Sequence, residues 1–374
     1  MLFTIAGNGS PGWTGTGGPA TAVAINRPYN VFFEHSTGNI YFTPAEGARM
    51  VNASGIIVDV AGSGVNGYTG DGGPATAALL REPRGITRDA AGNIFIADNQ
   101  NYVIRKINSA GIITTFAGTN TLGYSGEGGP ASAASLAGIA SIRFEQGNLY
   151  LAVAGYNRIC KIDAAGIVTT VAGTGAAGFS GDGGPATAAN FNLPFRITFD
   201  NWGDMYISDN GNGCIRMIDT TGIVTLKAGN GVNGYGGDGG PAIAGQIWEP
   251  NGLAFDKHGN YLIADWGNSR IRKVTPKPDK NHTTFDPLLS PGTDISILAF
   301  PNPNNGAFSI NIQTAQREEA SVIITGMDGR VVKNMVVQTN STADVGLDGH
   351  IPVGIYLLTA YTNEGKFTKL VNIQ

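Results

Sequence analysis

Along most of the chain, apolar and polar residues alternate in short runs interrupted by Gly, Asp, Asn or Ser. Over residues 83–118, PRGITRDAAGNIFIADNQNYVIRKINSAGIITTFAG, the alternation predicts four strands: Arg84 to Arg88, Ile94 to Ala97, Tyr102 to Ile107 and Ile112 to Ala117. The turns between them read Asp89-Ala90-Ala91-Gly92-Asn93, Asp98-Asn99-Gln100-Asn101 and Ser109-Ala110-Gly111, in which Asp opens a turn and Gly supplies positive φ. Residues 193–229, LPFRITFDNWGDMYISDNGNGCIRMIDTTGIVTLKAG, and 249–275, EPNGLAFDKHGNYLIADWGNSRIRKVT, repeat this order.

The linking loops repeat too. GTGGPA, GDGGPA, GEGGPA, GDGGPA and GDGGPA place Pro19, Pro74, Pro130, Pro185 and Pro241 at steps of 55 or 56 residues. Four short antiparallel strands at that period predict propeller blades, because radial stacking protects the edges of twisted sheets. Five blades are visible, and a truncated six-bladed ring is the alternative. The fifth blade supplies three strands before TPKPDKN breaks the pattern. Leu2 to Ala6, in phase with the fourth strands elsewhere, is expected to complete it and clasp the ring.

Gly62-Ser63-Gly64-Val65-Asn66-Gly67 matches the dinucleotide fingerprint GxGxxG, but similar spacings start at Gly7, Gly173 and Gly229. Only a short PATAALL stretch follows Pro74, too little for a crossover helix. A phosphate cradle is built once; a joint between blades is built once per repeat. The motif therefore reads as scaffold.

Composition narrows the function. Charged residues are 14% of the 374, glycine accounts for 56, and the net charge is −4. No basic footprint marks a nucleic-acid partner, and no apolar run approaches the roughly 18 residues that span a bilayer. Cys160 and Cys214 make no disulfide framework. They lie two columns apart on adjacent blades, so their side chains point in the same rotational sense, and free, buried thiols are expected. MLFTIAGNGS lacks a basic leader region and is not a signal peptide; it looks like the middle of a repeat.

Each loop carries an aromatic six positions before its proline: Trp13, Tyr68, Tyr124, Phe179 and Tyr235. These rings are expected to anchor long loops; a sugar-stacking rim is the alternative. Asp71, Asp182 and Asp238 fit turn or cap roles better than calcium binding. A binding surface must break the repeat. The mouth-proximal position of each first strand does so, reading Tyr29, Arg84, Ile139, Phe195 and Asn251, behind Arg27, Glu82, Ala137, Leu193 and Glu249. Tyr29, Arg84, Phe195, Asn251, Glu82 and Glu249 are the candidate ligand-binding residues at the channel mouth. Neutral variation on an exposed rim would look the same. His35, His258, His282 and His350 fall on no channel-lining strand, which argues against zinc. No Ser/His/Asp set is readable, no catalytic residue is assigned and no cofactor is expected, calcium at Glu82, Glu249 and Asn251 being the one ion the residues could take.

The grammar P-x-G-I…D-x-x-G-N-I-F-I-A-D…N-x-x-I-R-K-I resembles the NHL repeats of β-propellers over residues 1–275. Blade one departs with Pro44 where others have Asp98, Asp209 and Asp265; blade three departs with Val153 there and with Cys160 in the column of Arg49, Arg105, Arg216 and Arg272. Residues 276–298 are proline-spaced and polar, a linker. Residues 299–374 alternate as antiparallel strands of a small Ig-like sandwich, with Met327-Asp328-Gly329-Arg330 as a hairpin turn. Their motifs FPNPNNGAFSINI, ITGMDGRVVKNM and IPVGIYLLTAYTNEGKFTKLVNIQ resemble the type A sorting domain of the Bacteroidetes type IX secretion system. That resemblance implies handling by the type IX machinery and a secreted or outer-surface location. The expected function is a non-catalytic binding module for an extracellular glycan or protein, with a lactonase-like hydrolase or lyase using a channel metal as the alternative.

Overall fold

The computed structural model describes residues 4–34, 37–200, 202–256 and 259–276, and in the C-terminal part 296–300, 307–313, 319–326, 331–339, 342–346, 354–362 and 365–373. The chain forms two compact units, Met1–Pro287 and Leu288–Gln374. Most of the expected linker lies outside the described residues.

The first unit is a β-propeller of five antiparallel sheets, each in sequence order from channel to rim. Blade two is typical: Pro83–Arg88, Ile94–Asp98, Val103–Ile107 and Ile113–Ala117, within a residue or two of the strands read from alternation. The first strands of the other blades are Asn30–Glu34, Ile139–Glu145, Pro194–Phe199 and Pro250–Phe255. Period-two alternation turns both faces of each sheet toward neighbouring sheets, so the core lies between blades. Ala97 and Ile104 of blade two, for example, bury against Ile142, Leu151 and Val153 of blade three. Each fully buried aliphatic side chain contributes about 1.5–3 kcal/mol.

The glycine motif joins blades. The Gly62 N–H donates to Ala75 O at 3.0 Å, and Gly118, Gly173 and Gly229 repeat the bond to Ala131, Ala186 and Ala242. Gly62 has φ +98°, and a Cβ there would lie 2.6 Å from Glu46 O, so only glycine fits. Farther along, Pro74 bridges to Ile112, which tacks the loop to the rim strand of the blade it leads into.

The fifth sheet has three strands among the described residues, ending at Arg270–Val274. Thr4 to Ala6 lie in no strand; Leu2 and Phe3, the other residues of the expected clasp, lie outside the described residues. Two blade faces are bare. Ile271 is 73% exposed, whereas its equivalents Ile104, Ile159 and Ile215 are 0% exposed. On blade one, Val31 is 55% exposed, whereas Ile86, Ile142, Ile197 and Leu253 are 6% or less. A cavity of 960 Å³ between Met217 of blade four and Val274 of blade five occupies the place where a rim strand sits in other blades. Its lining runs from Leu226 and Lys227 of blade four to Arg272 and Val274 of blade five and reaches Phe255 at the end of that blade's first strand.

In the second unit a three-stranded sheet (Ser296–Phe300, Ala307–Gln313, Thr342–Gly346) accompanies a four-stranded one ordered Val331–Gln338, Glu319–Gly326, Gly354–Thr362, Gly365–Ile373. Ile312, Val322, Ile324, Val345 and Leu358 form its core. The expected hairpin turn at Met327-Asp328-Gly329-Arg330 lies outside the described residues.

Candidate functional site

Most charged residues of the repeat are spent on scaffold. Asp98, Asp209 and Asp265 each end a second strand and accept the N–H of Arg81 (2.7 Å), Asn192 (2.8 Å) and Trp248 (2.8 Å) from the loop before their blade. The Nδ2 groups of Asn101, Asn212 and Asn268 donate to the same carboxyls and to Gly67, Gly178 and Gly234 O. Arg105 and Arg216, fully buried, approach Asp98 and Asp209 at 3.6 and 3.5 Å and also bind loop residues Asp71 (2.6 Å) and Asp182 (3.2 Å). Arg272 holds Asp238 likewise. Each guanidinium faces a loop aromatic, Arg105 over Tyr68 at 5.2 Å and Arg216 over Phe179 at 5.5 Å. The loop rings are therefore anchors, and the three loop aspartates are engaged by arginine. Burial pushes the Asp98 and Asp209 carboxyls up to about 6.

The departures of blades one and three compensate internally. Arg49, lacking an Asp at the Pro44 position, pairs with Asp59 at 2.7 Å. Blade three replaces both partners, and Cys160 Sγ lies 3.2 Å from Tyr124 Oη, which also bonds Thr170. Both cysteines are free and buried. Burial pushes Cys160 up to about 11 and Cys214 higher still.

At the channel mouth the structure brings some candidates together. Arg84 and Phe195, from blades two and four, line one cavity of 370 Å³ with Asn99, Gln100, Tyr102 and Asn210. The Arg84 guanidinium lies 5.5 Å over the Tyr29 ring and 3.8 Å from Glu82. Asn251 accepts a hydrogen bond from Asn210 Nδ2 at 2.6 Å, which ties it to the rim of this cavity. Glu249 does not line it. Arg27, Glu82, Leu193 and Glu249 all have φ between 45° and 52°, and in blade three Gly138 takes that role. A positive φ costs about 1–2 kcal/mol for such residues. Since it recurs in every blade, the strain belongs to the repeat and marks no site. Asn99, Gln100, Tyr102 and Asn210 escaped the sequence reading because they sit in turns between second and third strands. Those turns open at the same end as the start of each first strand, which was the available signal.

Two further side chains cross the channel. Arg196 Nη2 of blade four donates to Val31 O of blade one at 3.2 Å. Arg143 of blade three lies 5.7 Å over the Phe32 ring of the same strand. Burial, and then the Arg143 charge, lower Arg196 to about 10; burial also lowers Arg143, while Glu145 acts in the opposite sense. The Arg196 layer otherwise holds Asn30, Gly85, Ser141 and Gly252, and the Arg143 layer Phe32, Thr87, Thr198 and Ala254. Among the described residues no group of three His, Cys, Asp or Glu is placed to hold a metal. The four histidines lie outside the described residues.

Comparison with known proteins agrees with this architecture. Residues 64–125 match the teneurin NHL domain, residues 248–274 the NHL repeat, and residues 298–374 the secretion system C-terminal sorting domain. Teneurin-4 of Mus musculus is 31% identical over 253 residues, which are 59% of this chain and 9% of teneurin-4. SUPPRESSOR OF QUENCHING 1 of Arabidopsis thaliana is 27% identical over 240 residues, 59% of this chain and 22% of that protein. The chain thus spans a small fraction of these curated relatives. Among solved structures, an auxiliary nutrient binding protein from Bacteroides thetaiotaomicron aligns with 72% of this chain and 75% of its own, at 18% identity and a TM-score of 0.44. The chain joins an NHL-repeat propeller to a type IX sorting domain, which makes it cargo of that machinery, secreted or held at the outer cell surface. No helix among the described residues is long and apolar enough to cross a membrane.

Proposed function

We propose that this exported NHL propeller is a non-catalytic binding module that takes an extracellular glycan or protein at its channel mouth. One observation carries the reading: Arg84 and Phe195, at positions where the repeat loses its symmetry, converge from two non-adjacent blades on one 370 Å³ cavity. Scaffold columns repeat because every blade needs them. A guanidinium, an aromatic ring, and the amides of Asn99, Gln100 and Asn210 meeting once in the ring meet no such need. An aromatic face with amide and guanidinium donors suits a sugar hydroxyl array or a polar peptide segment. The Tyr29 ring beneath Arg84 extends that surface.

Glycan-array and pull-down binding of the intact chain tests this. The Tyr29→Ala, Phe195→Ala double variant, folded by circular dichroism, is expected to lose the captured ligand. Undiminished capture would place the ligand elsewhere on the molecule.

A further inference from the structure

We infer that Arg143 and Arg196 form an oxyanion site inside the central channel, for a carboxylate, sulfate or phosphate group, held between guanidinium groups of blades three and four. The assignment stands apart from the nature of the mouth ligand.

Both arginines reach across the channel to adjacent residues of one strand, Val31 and Phe32, so their charges converge on the same place. Neither is ion-paired among the described residues, in contrast to Arg49, Arg105, Arg216 and Arg272, each of which has a carboxylate within 4.0 Å. Arg143 Nε is buried without a hydrogen-bond partner, and so are Ser141 Oγ and Asn30 Oδ1 in the Arg196 layer. A guanidinium carries five N–H donors, and among the described residues Arg196 donates to a single carbonyl. The two like charges repel each other, and Glu145 is the carboxylate that acts on Arg143. An oxyanion supplies the missing acceptors and the missing charge together. The neighbouring blades show that the fold does not require either arginine. Sister blades carry Asn, Gly or Ser in the Arg196 layer, and Phe, Thr or Ala in the Arg143 layer. Apart from Phe32, these are small residues that leave space into which the two long side chains extend.

The test uses the full chain and inorganic sulfate at millimolar concentration, with sodium chloride at matched ionic strength as the control. Arg196→Asn and Arg143→Thr install side chains that sister blades already carry, so both are expected to fold. In the unmodified protein sulfate should raise Tm above the chloride control and give a saturable calorimetric isotherm. Each variant should bind sulfate at least tenfold more weakly, with Tm in chloride unchanged or raised because the repulsion is relieved. An absent sulfate response, or an equal one in all three proteins, overturns the assignment. Failure of both variants to fold would mark the arginines as cross-braces and overturn it as well.

Discussion

Blade three supplies a ready-made double variant of blade four. Arg216 is fully buried: its Nη1 and Nη2 donate to Asn190 O and Ser180 O, both at 2.7 Å, and Nη1 lies 3.5 Å from the equally buried Asp209. Arg216→Cys would strand that carboxyl without its cation and leave two loop carbonyls without their donor. Removing one partner of a buried pair costs about 3–5 kcal/mol. Asp209→Val alone should cost somewhat less, since Arg216 retains Asp182 and the carbonyls. Blade three lacks both groups, with Val153 and Cys160 each 0% exposed in their places. The combined Asp209→Val, Arg216→Cys variant should therefore be more stable than the sum of the single losses predicts, by about 2 kcal/mol or more. Urea unfolding followed by tryptophan fluorescence measures all four corners of the cycle; Trp202, Trp248 and Trp266 report on blades four and five. Additivity within about 0.5 kcal/mol would refute the view that the pair is a removable unit of scaffold.

Three further outcomes follow from the same geometry. Ile104→Asp should destabilise by about 4 kcal/mol or more, while Ile271→Asp at the bare flank should stay within about 0.5 kcal/mol; comparable losses in urea would mean that the flank is covered in solution. Cys160 and Cys214 should resist a thiol reagent at pH 8 in the native protein and react fully in denaturant, and rapid native labelling would contradict their burial. Asp98 and Asp209 have folded-state values near 6, above the ordinary 3.8, so from about pH 4 upward the unfolded chain releases these protons while the folded chain holds them. Their contribution to stability therefore falls as pH rises from about 4 to about 6, and Tm profiles of Asp98→Asn and Asp209→Asn should lose that component; parallel profiles would count against it.

The blades were legible because strand alternation and turn residues are local signals repeated at a constant step. The glycine joints were legible for the same reason: one motif at four or five places cannot be a unique cradle. The loop aromatics were read correctly as anchors, although the partner that makes them so, a buried arginine two strands away, emerges only when the blade folds. What escaped was non-local. Arg196 and Arg143 lie one and three residues deeper along the first strand than the mouth column, and blade three is offset by one residue at Gly138, which blurs the column in which Arg143 stands alone. Their convergence on Val31 and Phe32 depends on the angle between non-adjacent blades, which no spacing along the chain records. The exposure of Ile271 is equally invisible in sequence, where it continues the column of Ile104, Ile159 and Ile215.

Hydrogen exchange of the intact chain, with and without its captured ligand, addresses the binding site itself. Slowed exchange is expected in the first strands Pro83–Arg88 and Pro194–Phe199 and in the turn Asn99–Asn101, which frame the mouth cavity. Protection confined to rim strands such as Ile113–Ala117 and Val224–Ala228, with the mouth unchanged, would contradict the account.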